Sequence, residues 1–152
     1  MLNTGFLEDL PWQKVKLWRG GTGVSAWSGL VDLKEKRRRP AFFALEQLSE
    51  HLRRYDDVQR IAADDESLRL YRVIRNKRVL WIAWIEPESL VLPGDTRPRS
   101  EIELPMAASH VVVERMVMGP GDVNKTRRIF PVIGETIPLV ITPMPVYVYA
   151  SY

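Results

Sequence analysis

The chain has 152 residues, of which 45% are hydrophobic and 27% are charged, a balance typical of a globular protein with a core of its own. It is too short for a complete (β/α)8 barrel, which takes roughly 250 residues, and it has no cysteine, which excludes disulfides and thiolate chemistry. The net charge of +3 is small and no apolar run approaches the length of a membrane span, so we expect neither a nucleic-acid partner nor a membrane partner.

The first part of the chain is predicted to contain one strand and a basic loop. Residues Met1 to Gly5 lack the pattern of a signal peptide, and the sequence assigns no compartment. Residues 24–32 are typical of a mostly buried strand. The basic run at 34–39 has no interleaved aromatic residue, so we interpret it as a solvated loop rather than as a phosphate-binding patch.

Apolar residues recur at helical spacing after Pro40, which suits the first turn of a helix because no bond depends on its missing N–H. The predicted apolar face consists of Ala41, Ala44, Leu45, Leu48 and Leu52, opposite a polar face of Glu46, Gln47, Glu50 and Arg53. We expect the helix to end near Tyr55, before an acidic turn at Asp56 and Asp57.

The pattern changes near residue 66, where two β-rich runs follow on either side of a two-residue polar turn, Asn76-Lys77. The first run, 68–75, alternates between apolar and polar positions. The second run, 78–85, is apolar on both faces, as expected of a central strand that is covered on each side. Trp81 and Trp84 have opposite parity, so we expect one in the core and the other on the opposite face of the sheet, against the helix.

Further strands are predicted in the second half of the chain, at 101–106, 110–118, 128–133, 136–142 and 147–149. Pro143 and Pro145 separate the last two, and because proline cannot donate a ladder hydrogen bond they indicate a strand switch or a sheet edge. Short strands divided by turn residues favour an antiparallel β-sandwich of about seven to eight strands. We therefore expect a mainly β fold preceded by a strand-loop-helix segment, with early and late strands sharing one core.

Three sequence motifs follow one another along the chain and together carry a resemblance to a known family. The first is Trp27-Ser-Gly-Leu-Val-Asp32 followed by Arg39-Pro-Ala-Phe-Phe-Ala-Leu45, the second is Leu70-Tyr-Arg-Val73 with Val79-Leu-Trp-Ile-Ala-Trp84, and the third is Pro145-Val-Tyr-Val148. The first motif resembles the last strand and last helix of a (β/α)8-barrel glycoside hydrolase. The second and third resemble the first hairpin and the closing strand of the C-terminal β-sandwich that follows such a barrel.

The resemblance implies a barrel-end segment at 1–66 and a C-terminal β-sandwich at 67–152. In glycoside hydrolases of this kind the sandwich packs on the barrel and supports it. The two catalytic glutamates lie on barrel strands that this chain lacks, so the resemblance assigns no catalytic residue here. The implied partner is a catalytic barrel in cis or in trans, or a second copy bound through residues 24–55. A second hypothesis is a stand-alone carbohydrate-binding or protein-interaction module.

Trp27 is the residue to which the resemblance gives a role. A tryptophan on the last barrel strand would form the floor of a sugar subsite, because a flat indole face suits the apolar face of a pyranose ring. A core tryptophan between strand and helix is the alternative. We expect no metal and no cofactor, because His51 and His110 lie far apart in sequence without clustered acids, and the run Gly20 to Gly23 lacks the lysine of a phosphate-binding loop.

Overall fold

The computed structural model describes residues 30–32, 37–89, 95–122 and 126–151. Two short strands, β1 (Val31–Asp32) and β2 (Arg37–Arg38), precede helix α1 (Pro40–Leu52). The strands that follow are β3 (Asp57–Ile61), β4 (Leu68–Arg75), β5 (Arg78–Ile85), β6 (Ser100–Pro105), β7 (His110–Arg115), β8 (Arg127–Pro131), β9 (Thr136–Ile141) and β10 (Val146–Ala150).

Two antiparallel sheets form a β-sandwich, which confirms the predicted fold class. The larger sheet has six strands in the order β3-β4-β5-β10-β7-β8, and the smaller consists of β6 and β9. Strand β9 belongs to the small sheet, whereas β10 lies between β5 and β7 in the large one. Pro143 and Pro145, between these two strands, therefore mark a strand switch, which is one of the two alternatives that their spacing predicts.

The hairpin of β4 and β5 has the predicted strands and the predicted turn. Its register runs from Leu68 opposite Ile85 to Arg75 opposite Arg78, which leaves Asn76 and Lys77 as the two turn residues. Their φ angles are +49° and +63°. Positive φ at both central residues is the geometry of a type I′ turn, whose twist matches that of the strands it joins.

The main core lies between the two sheets and joins early strands to late ones. Leu70, Trp81, Leu104, Ile137 and Val148 all belong to this buried cluster. Trp81 is buried, and its indole N–H donates to the carbonyl oxygen of Pro105 at 3.3 Å. The residues of this core come from strands far apart in sequence. Burial of each large apolar side chain stabilises the fold by about 1.5–3 kcal/mol.

Helix α1 packs on the other face of the six-stranded sheet. There Leu48 and Leu52 contact a second buried cluster, made of Val73, Leu80, Ile82 and Tyr147. Trp84 lies on this face and stacks on Tyr71, with ring centroids 5.3 Å apart. The two tryptophans of β5 therefore lie on opposite faces of the sheet, as their parity predicts.

The structure differs from the sequence prediction at the helix and just after it. Helix α1 ends at Leu52 rather than near Tyr55, because Arg53 takes an extended ψ of 120° and Arg54 a φ of +56°. Gln47, placed on the solvent side by the pattern, is buried. Asp57 begins strand β3, an exposed edge strand that the polar sequence did not predict.

Several predictions concern residues that the structure describes only in part. Of the strand predicted at 24–32, residues 30–32 are described, and Trp27 lies outside the described residues. Strand β7 ends at Arg115 rather than at Met118. The predicted division of the chain at residue 66 stays a prediction. Strand β3, which precedes that position, pairs with β4, which follows it.

Candidate functional site

A buried carboxylate, Glu114, lies where helix α1 meets the large sheet. Strand β7 directs Val111 and Val113 into the main core, so the alternate positions, Val112 and Glu114, face the helix side. Glu114 is only 3% exposed. A charge removed from water to this extent costs free energy unless it is paired and hydrogen-bonded, so its partners decide what the site does.

Four side chains from three elements surround the Glu114 carboxylate. Gln47 donates from Nε2 to Oε1 at 2.8 Å, and His51 Nε2 lies 3.6 Å from the same oxygen. Arg127, at the start of β8, donates to Oε2 from Nε at 3.2 Å and from Nη2 at 3.0 Å. The hydroxyl of Tyr149, on β10, donates to Oε2 at 2.9 Å. Both carboxylate oxygens are thus occupied.

Gln47 connects the helix to the backbone as well as to the carboxylate. Its Nε2 also donates to the Arg115 carbonyl oxygen at 3.0 Å, and its Oε1 accepts from the Val117 N–H at 2.9 Å. His51, one turn further along α1, stacks on the Tyr147 ring with centroids 4.4 Å apart. Because every polar atom of the Gln47 side chain has a partner, the buried amide holds α1 in one position on the sheet.

The electrostatics keep Glu114 ionised and its tyrosine neighbours neutral. Burial acts to raise the pKa of Glu114, but the nearby His51 ring and the hydrogen bonds from Gln47 and Tyr149 outweigh it and hold the pKa at about 2. Burial, with the hydrogen bond to Glu114 and its charge, raises the pKa of Tyr149 to about 12. A general acid in glycoside hydrolysis needs a raised pKa, so the lowered pKa of Glu114 does not suit that role.

A cavity of about 570 Å³ opens beside this network, between the end of α1 and the β4–β5 turn. Arg75 and Arg127 line it, and both are engaged within the protein. Arg75 Nη1 donates to the Glu50 carbonyl oxygen at 3.0 Å, near the end of the helix, where a cation is favoured by the helix dipole. Arg75 therefore helps to attach the end of the helix to the sheet, and Arg127 bonds to Glu114.

The outward side of α1 retains apolar surface. Leu45 is 41% exposed, and Phe42 and Phe43 are half-buried, with their rings edge to face at 5.7 Å. The Arg38 guanidinium lies over the Phe42 ring at 4.4 Å from its centroid. Leu48 is different, since it packs against the sheet. Of these apolar residues, Leu45 is therefore exposed, whereas Phe42 and Phe43 are partly covered.

Among the described residues, no three His, Cys, Asp or Glu side chains lie close enough together to hold a metal ion, and no helix is long and apolar enough to cross a membrane. His51 contacts Glu114, whereas His110 Nδ1 lies 3.2 Å from the Ser109 hydroxyl. The sugar-binding role predicted for Trp27 stays a prediction, because that residue is not described.

Sequence reasoning missed the Glu114 network, and the strand sequence around Glu114 is the one local signal for it. In the structure, the side of α1 that meets the sheet includes two polar residues, Gln47 and His51, beside Leu48 and Leu52. Glu114 follows three consecutive valines in strand β7 and alternates with Val112. The carboxylate is thus on a strand face that includes Val112, whereas the apolar pattern of the helix places Gln47 on the solvent side.

The comparisons with known proteins bear on the fold. No family model matches the sequence, and no curated protein matches it. Among solved structures, the chain is similar to a GH30 endoxylanase from Clostridium papyrosolvens C71, with a TM-score of 0.51 and 11% sequence identity. The likeness covers 80% of this chain and 29% of the endoxylanase chain. This chain therefore has a fold related to that of part of a glycoside hydrolase, and it spans less than a third of that enzyme.

Proposed function

We propose that this chain is the C-terminal accessory β-sandwich region of a glycoside hydrolase, which supports a catalytic barrel and is not catalytic alone. One observation carries the proposal. Helix α1 is fixed to the sandwich by a buried polar network, while its outward side keeps Leu45 exposed and Phe42 and Phe43 half-buried. The likeness to part of an endoxylanase supports the same role.

The polar network fixes the orientation of the helix on the sandwich, which a helix packed between two domains requires. Apolar contacts such as those of Leu48 and Leu52 are non-directional and would tolerate a rotated helix. The hydrogen bonds of Gln47 to Glu114 and to the backbone at Arg115 and Val117 form in only one orientation of the helix. A barrel that packs on the outward side of α1 would then be held in a fixed position relative to the sandwich.

The chemistry of the described carboxylates favours a supporting role over a catalytic one. Glycoside hydrolysis uses two carboxyl groups about 5–10 Å apart, one of them with a raised pKa. Glu114 is the buried carboxylate of the described residues, and its pKa is held at about 2 by its partners. The carboxylate pair would therefore come from the barrel, in cis or in trans.

Self-association of the isolated chain tests the proposal. Without a barrel, the outward side of α1 should pair with a second copy through residues 24–55, because contiguous apolar surface of this kind marks an interface. Leu45→Asp should shift the sedimentation coefficient to that of a monomer. Val58→Asp is the matched control, since Val58 is 40% exposed on β3 and Leu45 is 41% exposed, and it should leave association unchanged.

Two results would overturn the proposal. One is a wild-type chain that stays monomeric at high concentration, with melting unaffected by Leu45→Asp. The other is turnover of aryl glycosides by the purified chain that a single Glu→Gln change within residues 1–152 abolishes.

The alternative of a stand-alone carbohydrate-binding module is less well supported by the described aromatic residues. A sugar platform needs an open ring face. Trp81 is buried in the main core, and Trp84 is half-buried with one face stacked on Tyr71.

A further inference from the structure

The two sheets of the sandwich differ in width, and one side of the core is left open. The small sheet has two strands against six in the large one. Phe130, on β8, lies opposite Val111 and so points to the sandwich side, yet it is 39% exposed. Ile133, just after β8, is 80% exposed. The small sheet therefore ends before it covers the β8 end of the large sheet.

A groove of about 990 Å³ occupies this open side. Its apolar lining combines both sheets, with Val113, Val146 and Phe130 from the large one and Ile137 and Leu139 from the small one. Strand β9 lines the groove along its length, whereas no residue of β6 does. Among the described strands β9 pairs with β6 alone, so its other edge borders the groove.

The charged residues of the groove are all of one sign. Four arginines line it, Arg97, Arg99, Arg115 and Arg128, and no aspartate or glutamate does. Arg97 Nη1 lies 3.7 Å from the sulfur of Met144. Within the part of the chain that the structure describes, Arg99, Arg115 and Arg128 make no ion pair with a carboxylate. The groove thus combines an apolar floor with unneutralised positive charge.

We propose that this groove binds an extended segment of a partner protein that contains both apolar and acidic residues. Apolar side chains of such a segment would contact the floor, and its carboxylates would pair with the arginines that line the same groove. Arginine recognises carboxylates with paired hydrogen bonds. Main-chain bonds to β9 would add a strand to the small sheet, the recognition mode known as β-augmentation.

This binding site is independent of the proposed support function. The groove lies on the sandwich side of the large sheet, whereas α1 packs on the opposite side. Substitutions in the groove should leave association through α1 unchanged, and Leu45→Asp should leave peptide binding unchanged. Failure of one proposal is therefore distinguishable from failure of the other.

The test uses a blocked synthetic peptide of four Val-Glu repeats, titrated into the full chain by calorimetry at low and high salt. We expect binding that weakens as salt rises, because exposed charges are screened. The double variant Arg115→Glu, Arg128→Glu should bind at least about tenfold more weakly, since it replaces two attractive charges by repulsive ones. Arg60→Glu, at an exposed position on the opposite edge strand β3, is the control and should bind like the wild type.

The peptide proposal fails if the Val-Glu peptide does not bind, if a Val-Lys peptide binds equally well, or if the double variant and the control bind alike. It also fails if the peptide binds only after residues 1–14 are removed, because the run from Phe6 to Leu10 has the same apolar and acidic chemistry and would then be the occupant. A change in sedimentation in the double variant alone would identify a second copy as the occupant and would overturn it too.

Discussion

The Glu114 side chain joins four elements of this protein. Its carboxylate connects β7 to α1 through Gln47, to β8 through Arg127 and to β10 through Tyr149. Removing one partner of a buried charge is strongly destabilising, because the remaining charge keeps its desolvation penalty. Glu114 therefore stabilises the fold when it is ionised, and this stabilisation depends on pH.

The variant Glu114→Gln should change how stability depends on pH. The folded protein lowers the pKa of Glu114 from its ordinary value of 4.5 to about 2. The corresponding stabilisation is present above pH 4.5 and is lost as the pH falls through about 2, because the unfolded chain takes up the proton first. At about 1.4 kcal/mol per pKa unit, the variant should lose about 3 kcal/mol at pH 7 and much less near pH 2.

Urea unfolding at pH 7, 4 and 2.5 measures this difference. Glu101→Gln, at an exposed position on β6, is the matched control and should follow the wild type at each pH. A constant gap between the wild type and Glu114→Gln across the three pH values would contradict the assigned role of the carboxylate.

At the scale of elements, the β4–β5 turn offers a simple gain in stability. Lys77 has a φ of +63°, a conformation that costs an L-residue with a Cβ atom about 1–2 kcal/mol but that glycine adopts freely. Lys77→Gly should raise the free energy of unfolding by about 0.5–1 kcal/mol, since glycine also loses more entropy on folding. Lys77→Ala keeps the Cβ atom and should give no gain in the same urea titration. Equal effects of the two variants would refute the explanation.

The elements that sequence predicted best are those whose signals are local. The β4–β5 hairpin follows from two β-rich runs and their turn residues, and α1 begins at Pro40 as expected. The partners of Gln47 lie at residues 114–117, about 70 positions away, so its burial could not be read from the helix pattern. Strand β3 has an exposed, polar sequence, because it is an edge strand that needs no buried face.

At the scale of the whole molecule, the order of the strands in the large sheet could not be predicted from the sequence. The prolines between β9 and β10 predicted a strand switch or a sheet edge, but not that β10 would enter the middle of the large sheet. That position depends on pairing with β5 on one side and β7 on the other, both distant in sequence. The Tyr149 hydroxyl reaches Glu114 from this strand, so the candidate site also depends on the switch.

Truncation after Ile141 should therefore unfold the protein. It removes β10, which separates β5 from β7, and takes Val146, Tyr147 and Val148 out of the interior. Each buried side chain of this kind stabilises the fold by about 1.5–3 kcal/mol, against a total of about 5–15 kcal/mol for a typical domain. Two ladders of backbone hydrogen bonds are lost as well.

We expect the truncated chain to be insoluble or to lack a cooperative melting transition in circular dichroism. Deletion of residues 1–14 is the comparison and should be far milder, because that stretch has no periodic apolar face. A truncated chain that melts cooperatively at the wild-type temperature would mean that β5 and β7 do not need the strand between them. Such a result would contradict the strand order of the large sheet, and with it the sandwich on which the proposed supporting role depends.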